Sequence, residues 1–178
     1  MIGVLVSGTG TNLQALLDAG LPVVAVASNR RSAPALGRVH NLATASFELR
    51  DYTDRAQRDT AMAEWLEQQG VRVVVLAGYM HLLTSAFLDR FPDAVVNVHP
   101  SLLPAFPGAH AVEDQLAAGV AEAGATVHLV DEGVDSGPIL AQERIPVLEG
   151  DTPESLHARI KEIEHRLLPR VVGELCAR

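Results

Sequence analysis

Asn97 and His99 stand two residues apart in Ala94-Val95-Val96-Asn97-Val98-His99. On a strand, that spacing sends both side chains off one face. An amide can donate to an oxyanion that forms during reaction, and an imidazole can move protons near neutral pH. Asp135 lies in the glycine-flanked stretch Gly133-Val134-Asp135-Ser136-Gly137, where a carboxylate could orient or charge the imidazole. Taken singly, each residue also reads as structure: a hydrogen-bonded core histidine, a turn-forming aspartate. Competing sets are weaker. Ser101 invites a Ser-His-Asp triad, but no Gly-x-Ser-x-Gly elbow is present. His110 and Glu113 can share a helical turn, yet no Cys/His set has zinc-site spacing, so no metal is expected. Cys176 has no neighbouring histidine and reads as a small packing residue.

A second cluster is Ser7-Gly8-Thr9-Gly10-Thr11-Asn12. Glycines there let the chain turn tightly, and a helix that starts after them offers free N–H groups to an anion. No Gly-Lys-Ser/Thr ending follows, which argues against a nucleoside triphosphate loop. Leu13 occupies the place of the third small residue in a dinucleotide fingerprint, and the second strand ends in Ser28-Asn29-Arg30-Arg31 without an acid. A single phosphate monoester fits better, beside the plainer reading of a tight turn.

The elements that must position these groups follow from periodicity. Ile2–Val6, Val23–Ala27 and Val71–Leu76 are continuously apolar, as strands buried on both faces are. Asn12–Ala19, Pro34–Leu42 and Asp54–Gln69 read as helices between them; Met62, Trp65 and Leu66 form the packing side of the last. The alternation implies a parallel sheet with helices on both faces. Val95–Val98 adds a strand closed by Pro100, which puts Asn97 and His99 at the carboxyl end, where such sheets bind ligands. Ala125–Val130 and Ile139–Val147 are joined too closely for a parallel crossover, so antiparallel pairing is expected there. The last helix starts near Asp151-Thr152-Pro153-Glu154 and packs through Leu156, Ile160, Ile163, Leu167 and Val171. Pro169 should kink or divide it. No repeat or linker appears, so the expectation is one domain over residues 1–178.

Composition narrows the function. The chain has 178 residues, one cysteine, a formal charge of −8 and a pI near 5.3. The acidic balance argues against a nucleic-acid surface, the single cysteine fits a reducing compartment, and no apolar run approaches the ~20 residues of a membrane span. The start lacks a charged leader, so a cytoplasmic protein is expected.

Four segments occur in order: Ser7-Gly8-Thr9-Gly10-Thr11-Asn12-Leu13-Gln14-Ala15, Ala77-Gly78-Tyr79-Met80, Asn97-Val98-His99-Pro100-Ser101-Leu102-Leu103-Pro104 and Asp135-Ser136-Gly137-Pro138. With them the chain resembles the phosphoribosylglycinamide formyltransferase family of the folate-dependent formyltransferases, over essentially its whole length. The resemblance implies a three-layer α/β/α Rossmann-like fold with a mostly parallel sheet and an antiparallel C-terminal part. It implies formyl transfer from 10-formyltetrahydrofolate, a co-substrate, to the amine of glycinamide ribonucleotide in purine biosynthesis, without a metal. Asn97, His99 and Asp135 match the catalytic positions. Gly10, Thr11, Asn12, Lys161 and Glu164 match the ribonucleotide site. Met80, His81, Leu82, Leu83 and Leu88 match the pterin pocket, facing Asn97 and the stretch Val130, Asp131, Glu132, Gly133, Val134 and Asp135, with Arg55 near the folate's carboxylates.

Many relatives carry Arg or Lys where His81 stands, which removes a permanent charge from that position. The Gly20-Leu21-Pro22 connection is short, and relatives often extend beyond the last helix. The stretch Pro104–Gly124, with Pro107-Gly108, reads as a loop able to close over the site. The alternatives are a formyltetrahydrofolate hydrolase, a non-catalytic folate or nucleotide binder, and, more remotely, an NADP-dependent reductase using Arg30 and Arg31. A transferase acting on initiator tRNA would want a basic surface that is missing here. The expected partners are small molecules only, with the chain a monomer or weak homodimer.

Overall fold

Five buried residues in succession form β1 (Ile2–Val6), an interior strand of the sheet in the computed structural model, which describes residues 1–177. Because strand side chains alternate, Ile2, Val4 and Val6 enter one apolar core and Leu5 the other. The sheet follows as β2 (Val23–Ser28), β3 (Ala43–Ser46), β4 (Val73–Leu76), β5 (Val95–His99), β6 (Glu122–Leu129) and β7 (Ile139–Pro146). Its seven strands lie in the order β3-β2-β1-β4-β5-β6-β7. The first five pair in parallel; β6 runs antiparallel to β5, and β7 to β6. The mixed sheet expected from the short 131–138 connection is therefore present.

One face is covered by α1 (Thr11–Asp18), α4 (Ala111–Ala117) and α5 (Pro153–Cys176), through Leu13, Leu16, Val112, Leu156, Ile160, Ile163 and Leu167. The other is covered by α2 (Arg55–Gln68) and the short α3 (Ser85–Leu88), through Met62, Ala63, Leu66 and Phe87. Chain ends are set locally. The Asp54 carboxylate accepts from Gln57 N–H at 2.8 Å, and Thr152 and Ser155 form a reciprocal capping box before Pro153. Successive connections from β1 go first to β2 on one side and then to β4 on the other, which opens a crevice at the carboxyl ends of β1 and β4.

Several local expectations need correction. Pro34–Leu42 is no α-helix: a 3₁₀ turn spans Pro34–Arg38 and the chain then extends, because Gly37 and Val39 favour no further turn. Pro169 does not divide α5, which runs unbroken from Pro153 to Cys176 with Pro169 buried inside it. Cys176 is exposed and does not pack. Pro104–Gly124 is not one loop, since α4 and the start of β6 fall within it. β3 went unread because Ala43-Thr44-Ala45-Ser46 lacks the large apolar residues that announce a strand.

Candidate active site

β5 delivers Asn97 and His99 on the face it shares with Val95, while Val96 and Val98 point into the opposite core. Asp135 reaches them from the turn between β6 and β7, in a left-handed backbone conformation at φ 52° that a non-glycine residue adopts only when its surroundings hold it. His99 Nδ1 lies 3.3 Å from Asp135 Oδ2, and its Nε2 lies 2.8 Å from the carbonyl oxygen of Phe106. Both ring nitrogens thus meet acceptors, an arrangement that only the doubly protonated ring satisfies fully. Asn97 Nδ2 donates toward Asp135 Oδ1 at 3.3 Å and stands 3.1 Å from His128 Nε2. The Gly108 N–H donates to Asp135 Oδ2 at 2.8 Å. The Phe106–Gly108 stretch is therefore bonded into the site in this structure.

Burial works to raise the Asp135 carboxyl. The His128 imidazole, its Nε2 3.6 Å from Asp135 Oδ1, the Gly108 N–H bond and the His99 imidazole outweigh it and hold Asp135 below the usual carboxylate range. His128 is the member that sequence reasoning missed. It sits on β6 directly opposite Asn97 in the antiparallel register, half of a Thr126/His128 alternation against buried Ala125 and Val127. The alternation was readable; the register that brings it to Asn97 was not.

Beside this cluster opens a cavity of about 70 Å³ lined by Leu76, Tyr79, His81, Leu82, Leu83, Asn97, His128, Val130, Asp131, Gly133 and Asp135. The expected donor-pocket residues His81, Leu82, Leu83, Asn97, Val130, Asp131, Gly133 and Asp135 are thus brought together. Met80, Glu132 and Val134 are exposed beyond the lining, Leu88 packs against the α2 core, and Arg55 is exposed at the start of α2. The Tyr79 hydroxyl is buried without a partner, and burial pushes it up to about 12, so it stays protonated. His81 is held below the usual histidine range, first by burial and then by the Arg58 and Arg30 cations.

At the end of β1, Gly10 is the N-cap of α1 with φ 77°, and no side chain caps the first turn. A Cβ at Gly10 would meet the Ala35 Cβ at 2.7 Å, so both the turn and the close approach require glycine. The loop is braced by the Pro34–Arg38 turn: Ala35 N–H donates to the Gly8 carbonyl at 3.1 Å, and Arg38 Nε to that of Thr9 at 2.5 Å. With no side-chain cap, the N–H groups of the first turn, Thr11 and Asn12, are left without a helical partner, as an anion would need. Asn12 Nδ2 donates to Glu164 Oε2 at 3.0 Å, while Asn12 Oδ1 is buried with no partner. Burial raises the Glu164 carboxyl despite the bond from Asn12 and the nearby Lys161 cation. Lys161, the only lysine of the chain, is half-buried one turn before Glu164 on α5. Asn12, in the first turn after Gly10, is thus tied to Glu164, with Lys161 beside Glu164 on α5. No group of three or more His, Cys, Asp or Glu able to hold a metal occurs among the described residues, and no helix among them is long and apolar enough to cross a membrane.

The sequence profile described as Formyl transferase matches residues 1–172. The phosphoribosylglycinamide formyltransferase of Mycobacterium tuberculosis is 46% identical over 178 residues, covering 97% of this chain and 83% of that protein. Glycinamide ribonucleotide transformylase 1 from Symbiobacterium toebii, a solved structure, superposes with a TM-score of 0.94 at 46% identity, covering 96% of this chain and 84% of that one. The phosphoribosylglycinamide formyltransferase structure from Streptococcus pneumoniae gives 0.93 at 41% identity, covering 98% and 97%. The profile spans nearly the whole chain, and solved structures superpose on it at high TM-score; the chain belongs to the formyl transferase family.

Proposed function

We propose that this chain transfers the formyl group of 10-formyltetrahydrofolate to the amine of glycinamide ribonucleotide, a step of purine biosynthesis. The observation that carries the reading is that three parts lie at the carboxyl ends of neighbouring strands: the open N-terminal end of α1 at Gly10–Asn12, the Asn97–His99–Asp135 cluster, and the cavity beside that cluster. The names of the relatives support formyl transfer to this ribonucleotide, and the geometry supports a task for each part.

The ribonucleotide phosphate fits the N–H groups of Thr11 and Asn12, with Lys161 as the nearby cation and Glu164 as acceptor for ribose hydroxyls. The donor's flat ring is assigned to this cavity, entering between Leu76, Leu83 and Val130 with adjustment of its wall, and the rest of the molecule to the side of exposed Met80, Leu82 and Val134. Holding both partners makes the encounter effectively intramolecular. The uncharged amine attacks the formyl carbon, a C–N bond forms, and the carbonyl oxygen takes up negative charge. Asn97 and the protonated His99 ring are the donors for that oxygen. Each must exchange a contact present in this structure: Asn97 its 3.3 Å contact to Asp135, His99 its bond to the Phe106 carbonyl. Asp135, ionised, takes a proton from the attacking nitrogen and returns it to the folate nitrogen as the bond from formyl carbon to that nitrogen breaks. The products are formylglycinamide ribonucleotide and tetrahydrofolate, and no redox partner enters.

Release of deformylated folate, followed with and without glycinamide ribonucleotide, tests this directly. Release that requires the ribonucleotide is the expected result. Equal release without it would make the protein a hydrolase and overturn the reading.

A further inference from the structure

The largest fully buried side chain is a charged one, Arg58 on α2. It lies beneath the wall of the cavity and has no part in the chemistry just described. Its Nε and Nη2 donate to Asp59 Oδ1 at 2.8 and 2.5 Å, Nη2 lies 3.5 Å from the Leu82 carbonyl oxygen, and Nη1 lies 2.7 Å from His81 Nδ1. Asp59 Oδ2 in turn accepts from Thr84 N–H at 2.7 Å and from its hydroxyl at 2.8 Å. One buried ion pair therefore touches His81, Leu82 and Thr84, the stretch that walls the cavity.

The chemistry of these partners fixes the state of His81. A guanidinium has no acceptor, so Nδ1 must carry the lone pair and the ring's one proton must sit on Nε2. Nε2 lies 3.1 Å from Asn29 Nδ2, and the two ends of that amide are interchangeable by a half turn. The Ser7 hydroxyl donates to Asn29 Oδ1 at 2.6 Å and accepts from Met80 N–H at 2.9 Å; the Nε2–H ring requires this amide turned over, with Oδ1 toward His81 and Nδ2 toward Ser7 Oγ. We propose that Arg58 is a positioning residue for the donor pocket: it holds His81 uncharged and protonated at Nε2, its N–H spent on Asn29, and fixes the His81–Thr84 wall against which the donor's ring lies. The pocket thus receives an uncharged ring edge, while the nearest cation stays buried behind it. Other charged groups around His81 are Arg30 after β2, Arg55 and Asp59 on α2, and Asp131, Asp135 and His128 across the cavity. Among the described residues, only Arg58 touches Nδ1.

This inference rests on the donor pocket assigned above, and its test separates the two. Long-range ¹⁵N–¹H spectra of the wild-type protein should show His81 as the neutral Nε2–H tautomer from pH 6 to 8. Arg58→Met should raise the KM for 10-formyltetrahydrofolate about tenfold, the scale of one lost hydrogen bond and its geometry, with the ribonucleotide KM within about twofold. It should also give the donor KM a new step at about pH 6–7, where a histidine relieved of its cation titrates. Arg58→Met/Asp59→Asn removes both buried charges while keeping an acceptor for Thr84, and should show the same KM pattern if the single variant does not fold. Arg58→Lys should recover part of the donor affinity. A wild-type protein that transfers formyl but shows His81 charged or as the Nδ1–H tautomer at pH 7 overturns this inference alone. So does a variant in which both KM values rise equally without the pH step. Donor that fails to bind the wild-type protein overturns the functional reading as well.

Discussion

Two imidazoles lie after neighbouring strands, His81 beyond β4 and His99 at the end of β5, and their partners differ in kind. His99 stands between acceptors, the Asp135 carboxylate and the Phe106 carbonyl, so a proton on each ring nitrogen is welcome. His81 stands against a guanidinium at Nδ1, so a second proton there is refused. The difference teaches that residue type alone does not assign a role. A histidine facing acceptors is ready to carry charge toward a developing oxyanion; a histidine facing a buried cation is a neutral part of a wall. The same contrast explains how an acidic chain, with formal charge −8, can take anionic substrates. On the proposed reading, recognition rests on local donors, the amides at Gly10–Asn12 and the Lys161 cation, against the sign of the overall field.

The largest expected break in this contrast is at Asp135. Asp135→Asn keeps the shape but removes the proton acceptor and the charge beside His99, and should lower kcat by about 10³–10⁴, with the KM values little changed in steady-state assays. Next is His81. His81→Ala should act mainly on the donor, raising its KM about tenfold; a loss confined to the ribonucleotide KM would show that the wall has been assigned to the wrong substrate. Glu164→Gln works on the other substrate and on stability together. The ribonucleotide KM should rise by about tenfold through loss of the charged ribose acceptor. Because burial raises the Glu164 carboxyl, its ionised form weighs against folding above that raised value. The neutral variant should therefore unfold at higher denaturant concentration at pH 8, by about 1 kcal/mol, and gain little in mild acid, where the native carboxyl is itself protonated.

The smallest effect is a pH dependence that should not appear. Asp135 is held below the ordinary carboxylate range, so its active ionised form persists as pH falls, and with it the stability its bonds contribute. Both are lost only as pH drops through that depressed value, below about pH 4. A kcat profile with a limb falling between pH 6 and 5 in the wild-type protein, but absent in Asp135→Asn, would place the Asp135 carboxyl higher than this and break the contrast.

What was legible in the sequence was what local pattern decides. Ile2–Val6 and Val95–Val98 are apolar enough to be buried strands in any context, and the two-residue spacing of Asn97 and His99 survives any register. The Asp54 and Thr152 caps announce their helices. What was not legible depends on pairing across distance. His128 becomes a neighbour of Asn97 only through the β5–β6 register, and Phe106 and Gly108 reach the cluster only because the chain after β5 folds back over it. Arg58 sits among Arg, Gln and Asp in a helix whose sequence shows no apolar stripe at that point; a buried arginine on such a stretch is invisible until its partners Asp59 and His81 are placed in space. Cys176, read as packing, falls at the last position of α5 where the helix leaves the sheet and is exposed.

The central claim is that the histidine among acceptors, His99, stabilises the charge formed during transfer. His99→Ala, assayed for formyl transfer at saturating concentrations of both substrates, tests it most directly. The account predicts a kcat lower by about 10²–10³, the cost of one missing oxyanion donor, with folding and substrate binding retained. Transfer at the wild-type rate by that variant would contradict it.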